Sequence, residues 1–190
     1  MTSELGVRPA GSTGTVDDVP TPADTSELTI EVEPHNCFAC GELNEHGLHL
    51  DLHVEGDRCW TQLALDDRFQ GWDGIAHGGI VSTILDEVMA WSLAATDNWG
   101  VTARMNVAFR KPVRLGRTIR AEGWMTKAGR RMIETSGRIV DAADRTVLAT
   151  AEGTYVAADD ERRRQLRARY RFRLVPASAD GPAQGPAAAS

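Results

Sequence analysis

Residues 77–91 read His-Gly-Gly-Ile-Val-Ser-Thr-Ile-Leu-Asp-Glu-Val-Met-Ala-Trp. Their spacing predicts an amphipathic helix, because at about 100° per residue the large apolar side chains fall on one arc. The opposite face is small and polar, with Asp86 in its middle and Glu87 nearer the edge of the apolar arc. We therefore expect other elements to cover the apolar arc, while the polar face meets a ligand or a partner. The apolar arc comprises Ile80, Val81, Ile84, Leu85, Val88 and Trp91.

Two glycines open this helix. The first N–H groups of a helix have no internal partner and carry the positive end of the helix dipole. Without a Cβ atom, Gly78 and Gly79 allow a carbonyl oxygen or a phosphate to approach these groups closely, as in an oxyanion site. The alternative is an ordinary loop-to-helix turn in which His77 is only the N-cap residue.

Gly78 and Asp86 are too far apart on one helix to act on the same substrate carbonyl. A rise of about 1.5 Å per residue separates them by roughly 12 Å along the axis. A second copy of the helix, packed antiparallel through its polar face, would bring each Asp86 beside the Gly78 of the other chain. An acyl-transfer site on this helix is therefore expected at a twofold interface.

The composition describes one globular domain. The chain has 190 residues, of which 42% are hydrophobic and 25% charged, so it can bury a sizeable core. Its net charge of -6 gives no reason to expect nucleic-acid binding. No apolar run approaches the length of a membrane span and no signal-peptide pattern is present, so we expect a cytoplasmic protein with no membrane partner.

Both ends of the chain differ from its middle in composition. Residues 1–34 are rich in Thr, Ser, Gly, Pro and acidic residues, and residues 176–190 in Pro, Ala and Gly, so both are expected to be disordered tails. The folded domain is expected over residues 35–158. Residues 159–175 are Arg-rich and are expected to form a helical extension with a solvated face.

A Cys-x-x-Cys pair lies at the start of the expected domain. Cys37 and Cys40, beside His35, allow a metal site or a redox pair. A lone Cys-x-x-Cys lacks the second pair that zinc modules use, so no metal ligands are expected. The favoured interpretation is a compact loop packed by Phe38 and buried thiols.

Period-two alternation predicts two strands before the helix and four after it. A single helix against an antiparallel sheet of about six strands is an α+β arrangement that buries both apolar surfaces. The expected strands are 47–54, 58–65, 101–111, 118–126, 131–141 and 146–157.

Three motifs follow one another in the chain. They are Asn-Cys-Phe-Ala-Cys-Gly at residues 36–41, Phe-Gln-Gly-Trp-Asp-Gly-Ile-Ala-His-Gly-Gly at residues 69–79 with Asp86 and Glu87 after it, and Asn-Val-Ala-Phe at residues 106–109. In this order and spacing they resemble the PaaI-type branch of the hotdog-fold acyl-CoA thioesterases. The resemblance covers most of residues 35–157.

The resemblance implies a hotdog fold, with the sheet wrapped around a long central helix, and a homodimer or a dimer of dimers. It implies hydrolysis of an acyl-CoA thioester to free acid and thiol. By this resemblance, Asp86 is the catalytic carboxylate and Thr102 assists the water. The N–H of Gly78 from the other protomer polarises the thioester carbonyl. A thiolate is a good leaving group, so no metal or other cofactor is expected. Asp86 acts either as general base or as nucleophile.

The remaining site expectations concern substrate positioning. His77 is expected to be neutral and to donate a hydrogen bond. Gly71 stands where many relatives have Asn or Asp, which leaves the water-orienting group open, with Gln70 adjacent. Arg110 and Lys111 are expected to meet the phosphates of CoA. The expected substrate-binding residues are His77, Gly79, Gln70, Glu87, Arg110 and Lys111.

Two alternatives to a thioesterase stay open. One is a non-catalytic acyl-CoA-binding hotdog protein with a degenerate site, which the glycine at position 71 and the long tails favour. The other is a hotdog hydratase or dehydratase. That chemistry usually needs a positioned Asp/His pair, and no His lies beside Asp86 on the helix.

Overall fold

A computed structural model describes residues 27–177 of the chain. One long helix packs against a large antiparallel sheet, so the expected α+β hotdog class is confirmed. The elements are β1 (Leu28–Glu31), β2 (His53–Glu55), β3 (Arg58–Ala64), a 3-10 turn (Asp67–Phe69), β4 (Gln70–Trp72), β5 (Ile75–Ala76), α1 (Gly78–Ala95), β6 (Gly100–Phe109), β7 (Thr118–Ala128), β8 (Met132–Asp141), β9 (Val147–Ala157), α2 (Asp160–Tyr170) and β10 (Arg173–Pro176).

The main sheet has eight strands in the order β10-β1-β2-β3-β7-β8-β9-β6, rather than about six. The two additional strands, β1 and β10, pair with each other at one edge. β1 lies inside the segment expected to be a tail and β10 at the end of the expected helical extension. Each has four residues, too few to show alternation, and cross-strand partners such as Glu31 and Arg173 are 142 positions apart. Residues 1–26 and 178–190 of the expected tails lie outside the described residues.

The first strand of the expected hairpin is shorter than its alternating sequence suggests. Only His53–Glu55 pairs with β3, because His49 adopts a positive φ of 48° that interrupts the extended chain. The backbone of residues 48–50 instead forms hydrogen bonds with residues 35–41, which we call the cysteine loop. Leu48 N–H donates to Phe38 O at 2.8 Å, and Leu50 N–H donates to Ala39 O at 2.9 Å.

Helix α1 lies across the concave side of the sheet with its apolar arc buried. Of the six arc residues, five are buried and Ile80 is partly buried. Strand β7 approaches the helix closely at Gly123, where a Cβ atom would lie 2.5 Å from the backbone of Val88. A row of small residues crosses β7, β8 and β9 beneath α1, so the helix can pack closely on the sheet. The row consists of Gly123, Gly137 and Ala151.

Helix α2 lies on the surface. It has no buried residue, and intrahelical ion pairs join Arg163 to Asp160 and Arg164 to Glu161. An ion pair between Arg167 and Asp97 connects it to the chain just after α1. Within residues 27–177, no helix is both long enough and apolar enough to cross a bilayer.

Candidate active site

Asp86 lies half-buried on α1, where one of its carboxylate oxygens accepts two hydroxyl hydrogen bonds. Thr102 Oγ1 donates to Asp86 Oδ1 at 2.9 Å, and the Tyr155 hydroxyl donates to the same oxygen at 2.9 Å. Both donors therefore act on one oxygen. Among the described residues, none donates to Asp86 Oδ2, which leaves that oxygen for a water or substrate atom.

The two hydroxyl donors come from neighbouring strands. Thr102 on β6 is opposite Tyr155 on β9, and the pairing shifts register directly after it, between Thr102 and Arg104. Such a bulge re-aims side chains and is common beside functional sites. The bulge lies beside the contact between Thr102 and Asp86.

Tyr155 is fully buried, and its hydroxyl is also 3.2 Å from the backbone oxygen of Asp86. Burial, followed by the negative charge of Asp86, raises the pKa of this phenol well above its usual value. Tyr155 thus stays protonated and acts as a donor. The sequence reasoning missed it, although a signal exists: the inward positions of β9 are small at Ala149, Ala151 and Gly153, and then carry a tyrosine.

His77 is the N-cap of α1. Its Nδ1 accepts the Gly79 N–H at 3.0 Å, as the capping alternative predicts, and Nε2 is the nitrogen left as a donor. The same bond occupies the N–H of Gly79, which was expected to bind substrate. Gly78 is exposed, and among the described residues its N–H has no hydrogen-bond acceptor.

A groove of about 320 Å³ begins at Gly78. Phe109 covers one side, with its ring 3.4 Å from where a Cβ atom of residue 78 would lie. Arg110 and Lys111 line the same groove, so the structure brings these two expected phosphate ligands to the helix N-terminus. The other lining residues are Ile75, Ala76, Val81, Pro112 and Val113.

A comparison with protein families matches part of this chain. Residues 73–148, which include Gly78, Asp86 and Thr102, match the family model of the thioesterase superfamily. The matched residues are less than half of the chain. The expected resemblance to PaaI-type hotdog thioesterases is thereby confirmed, and the PaaI protein of E. coli has the same fold, with a TM-score of 0.55, 16% identity and coverage of 59% of this chain and 81% of that one.

Other proteins similar to this chain are named thioesterases. The mouse acyl-coenzyme A thioesterase THEM4 is 27% identical over 93 residues, which are 49% of this chain and 40% of the relative. Human acyl-coenzyme A thioesterase 13 is 28% identical over 83 residues, covering 43% of this chain and 59% of the relative. The chain thus spans less than two thirds of the length of either curated relative.

Two further solved structures share the fold. The protein RHA08564, described as a thioesterase superfamily protein, has a TM-score of 0.61 and 25% identity, with coverage of 64% of this chain and 60% of that one. A hypothetical thioesterase from Streptococcus pneumoniae TIGR4, solved with coenzyme A, has a TM-score of 0.51 and 18% identity, with coverage of 53% and 81%.

Gln70, another expected substrate-binding residue, has a different partner. Gln70 Oε1 accepts the Gly74 N–H at 3.0 Å, so this side chain closes the turn between β4 and β5. A Cβ atom at Gly71 would lie 2.9 Å from the Cα of His77, which explains why this chain has glycine there instead of a polar residue.

Glu87 is in contact with a different part of the molecule from Asp86. Its Oε1 accepts the Trp91 indole N–H at 2.8 Å, and its Oε2 is 3.9 Å from Cys37 Sγ. Burial, followed by the charge of Cys37, raises the pKa of Glu87 to about 7. Among the described residues, no hydrogen bond connects Glu87 to Thr102 or Tyr155.

The cysteine loop differs from the expected packing. Phe38, expected to pack the loop, is 40% exposed. Inside the loop, the side-chain hydrogen bond between the two cysteines lowers the pKa of the Cys37 thiol to about 5. The same hydrogen bond, followed by burial, raises the pKa of the Cys40 thiol. With His35, these residues form a group of side chains able to hold a metal ion.

Proposed function

We propose that the protein hydrolyses acyl-CoA thioesters at a site shared by two copies of the chain. Asp86 of one copy activates water, and the Gly78 N–H of the other copy polarises the thioester carbonyl. The observation that carries this proposal is the pair of hydroxyl bonds on Asp86 Oδ1, which leaves Oδ2 directed to a reactant.

In the first step, Asp86 Oδ2 takes a proton from water as the water oxygen attacks the carbonyl carbon. The carbonyl π electrons move to oxygen, and the resulting oxyanion accepts a hydrogen bond from the Gly78 N–H at the positive end of α1. In the second step, the C–S bond breaks as the carbonyl re-forms, and the departing sulfur receives the proton held by Asp86. The products are a carboxylic acid and CoA thiol.

The hydroxyl of Tyr155 contributes to this reaction by orientation. Because the buried phenol stays protonated, it donates to Asp86 Oδ1 together with Thr102 and fixes the plane of the carboxylate. A carboxylate held in one plane has less to reorganise when the water reacts.

Two features of the chain support assembly into a homodimer or a dimer of dimers. Gly78 and Gly79, at the start of α1, are exposed, so the helix N-terminus is open to a second copy. Strand β6 is an edge strand of ten residues, with Val101 63% exposed and Phe109 58% exposed. A long edge with exposed apolar side chains is suited to pairing with a second copy.

CoA fits the groove at Gly78 by its chemistry. Its phosphates match Arg110 and Lys111, and the apolar lining accommodates the rest of the ligand. Relatives named acyl-CoA thioesterases and a neighbour solved with coenzyme A support this substrate class. A hydratase is less well supported, because the described hydrogen-bond partners of Asp86 are Thr102 and Tyr155 and include no histidine.

The test is thiol release from a panel of acyl-CoA esters by the wild type, the variant Asp86→Asn and the control Glu134→Gln. Glu134 is an exposed carboxylate paired with Lys127 on the sheet. We expect loss of at least about 100-fold in kcat for Asp86→Asn and little change for the control. If no ester is cleaved by the wild type, yet acyl-CoA binds, the protein is a binder and the proposal fails.

A single turnover in ¹⁸O-labelled water detects the nucleophilic route in which water attacks the Asp86 carbonyl of a mixed anhydride. As a general base, Asp86 leaves the label in the product acid and none in its own carboxylate. As a nucleophile, it forms a mixed anhydride, and hydrolysis at the Asp86 carbonyl deposits label in the protein. We expect the first result, read by mass spectrometry of the peptide that contains Asp86.

A further inference from the structure

The cysteine loop is a tight turn with its two thiols on the same side. Gly41 N–H donates to Cys37 O at 3.0 Å, and a Cβ atom on Gly41 would lie 2.4 Å from Cys37 N and 2.5 Å from His35 O. Only glycine fits there.

The loop brings three metal-ligating atoms together. The ligand atoms of His35, Cys37 and Cys40 all lie within 4.8 Å of one another, and His35 Nε2 is 3.4 Å from Cys40 Sγ. A tetrahedral zinc ion, with bonds of about 2.0 to 2.3 Å, places its ligand atoms roughly 3.4 to 3.8 Å apart. The spacing of the cluster is close to that geometry.

Glu87 on α1 is outside the group of atoms that lie within 4.8 Å of one another, but it is the carboxylate next to Cys37. Glu87 Oε2 is 3.9 Å from Cys37 Sγ, on the side of the helix that faces the loop. Zinc modules usually use a second Cys pair, which this sequence lacks. In the fold, a histidine five residues before Cys40 and a glutamate 50 residues after Cys37 are the side chains next to the two thiols.

Both non-thiol ligands are held in orientation by a further hydrogen bond. His35 is buried, and its Nδ1 lies 3.0 Å from Glu33 O, so Nδ1 carries the proton and Nε2 is left as the ligand. The Trp91 indole N–H donates to Glu87 Oε1 at 2.8 Å. Second-shell bonds of these two kinds are typical of real metal sites.

We propose that His35, Cys37, Cys40 and Glu87 bind one structural zinc ion. Four protein ligands complete the tetrahedron, so the ion ties the cysteine loop to the middle of α1 and takes no part in thioester chemistry. Zinc displaces the protons of both thiols, which makes uptake pH-dependent. The proposal does not depend on the thioesterase activity.

The first experiment measures metal in the full chain, produced in zinc-supplemented medium and purified without chelators. We expect about one zinc per chain in the wild type and less than about one tenth of that in the double variant Cys37→Ser/Cys40→Ser. The matched control is Cys59→Ala, which removes the third cysteine, a fully buried core thiol. We expect this variant to contain as much zinc as the wild type.

The second experiment needs only wild-type protein, so it decides the matter even where the double variant fails to fold. After zinc removal under reducing conditions, Co²⁺ is expected to give a thiolate-to-cobalt charge-transfer band and the intense visible bands of tetrahedral cobalt, both lost on adding Zn²⁺. Glu87→Gln is expected to weaken Zn²⁺ binding about tenfold or more. Wild-type protein with less than about one tenth zinc and no charge-transfer band overturns the proposal, as does a Cys37–Cys40 disulfide in protein that takes up no zinc after reduction.

Discussion

The Tyr155 hydroxyl donates to Asp86 Oδ1 across 2.9 Å, although the two residues are 69 positions apart in the chain. The bond connects the helix that carries the acid to β9, between β8 and β6 in the sheet. It also sets which carboxylate oxygen remains available. The proposed reaction depends on this orientation, and removal of the hydroxyl tests it.

We expect Tyr155→Phe to lower kcat by about 10-fold to 100-fold with a smaller change in KM, because Thr102 alone then orients the carboxylate. The measurement is steady-state thiol release. Tyr170→Phe is the matched control, since among the described residues the Tyr170 hydroxyl makes no hydrogen bond to a side chain. A Tyr155→Phe enzyme with the wild-type kcat would contradict the orienting role.

Replacement of Gly78 distinguishes its N–H from its small size. Gly78→Pro removes the N–H, and proline is tolerated at the first helical position, preceded here by His77 in an extended conformation with ψ of 134°. Gly78→Ala keeps the N–H while adding a Cβ atom 3.4 Å from Phe109. We expect a loss in kcat of about 100-fold to 1,000-fold for proline and a much smaller loss for alanine. Equal losses of kcat in the two variants would show that the small size of Gly78, and not its N–H, is what the reaction needs.

Parts of this site were predictable from the sequence for a physical reason. Periodicity is a local property, so the apolar arc of α1 and strands β6 to β9 follow from it, and the contact between Asp86 and Thr102 follows the spacing of the family motifs. Tyr155 and the pairing of β1 with β10 depend on contacts between distant positions. The orientation of Glu87 toward Cys37 likewise needed the position of the loop, which no local pattern supplies.

The close approach of β7 to α1 predicts a sensitive position for stability. Gly123→Ala places a Cβ atom 2.5 Å from the backbone of Val88, and the helix must move away from the sheet. We expect a loss of about 1 to 3 kcal/mol in the free energy of unfolding, measured by denaturant titration. The comparison variant is Thr150→Ala in β9, away from this contact. Equal stability of Gly123→Ala and the wild type would show that α1 and β7 are not closely packed at this position.

A buried ion cluster on the outer side of the sheet predicts how stability depends on pH. Burial raises the pKa of Glu122, but hydrogen bonds and charges of Arg120 and Arg138 outweigh it and hold the pKa to about 2. A carboxylate with a lowered folded-state pKa stabilises the fold above its unfolded value of about 4.3. That contribution is lost as pH falls from about 5 towards 2.

The variant Glu122→Gln tests this contribution. We expect it to be destabilised by roughly 3 kcal/mol at pH 7 and to approach the wild type near pH 2 to 3, as followed by urea unfolding at each pH. Glu134→Gln, an exposed ion-pair carboxylate, is expected to show little change at either pH. If the difference in free energy of unfolding between Glu122→Gln and the wild type does not change with pH, the contribution does not come from the ionised carboxylate.

Mixing of two inactive variants tests most directly whether one site takes residues from two chains. Asp86→Asn and Gly78→Pro chains, unfolded together and refolded at equal amounts, form mixed dimers in half of the assemblies. In each mixed dimer, one site receives both defects and the other receives neither, so we predict recovery of about one quarter of wild-type kcat. No recovery, with mixed dimers verified by mass, would show that Asp86 and Gly78 do not act across the interface.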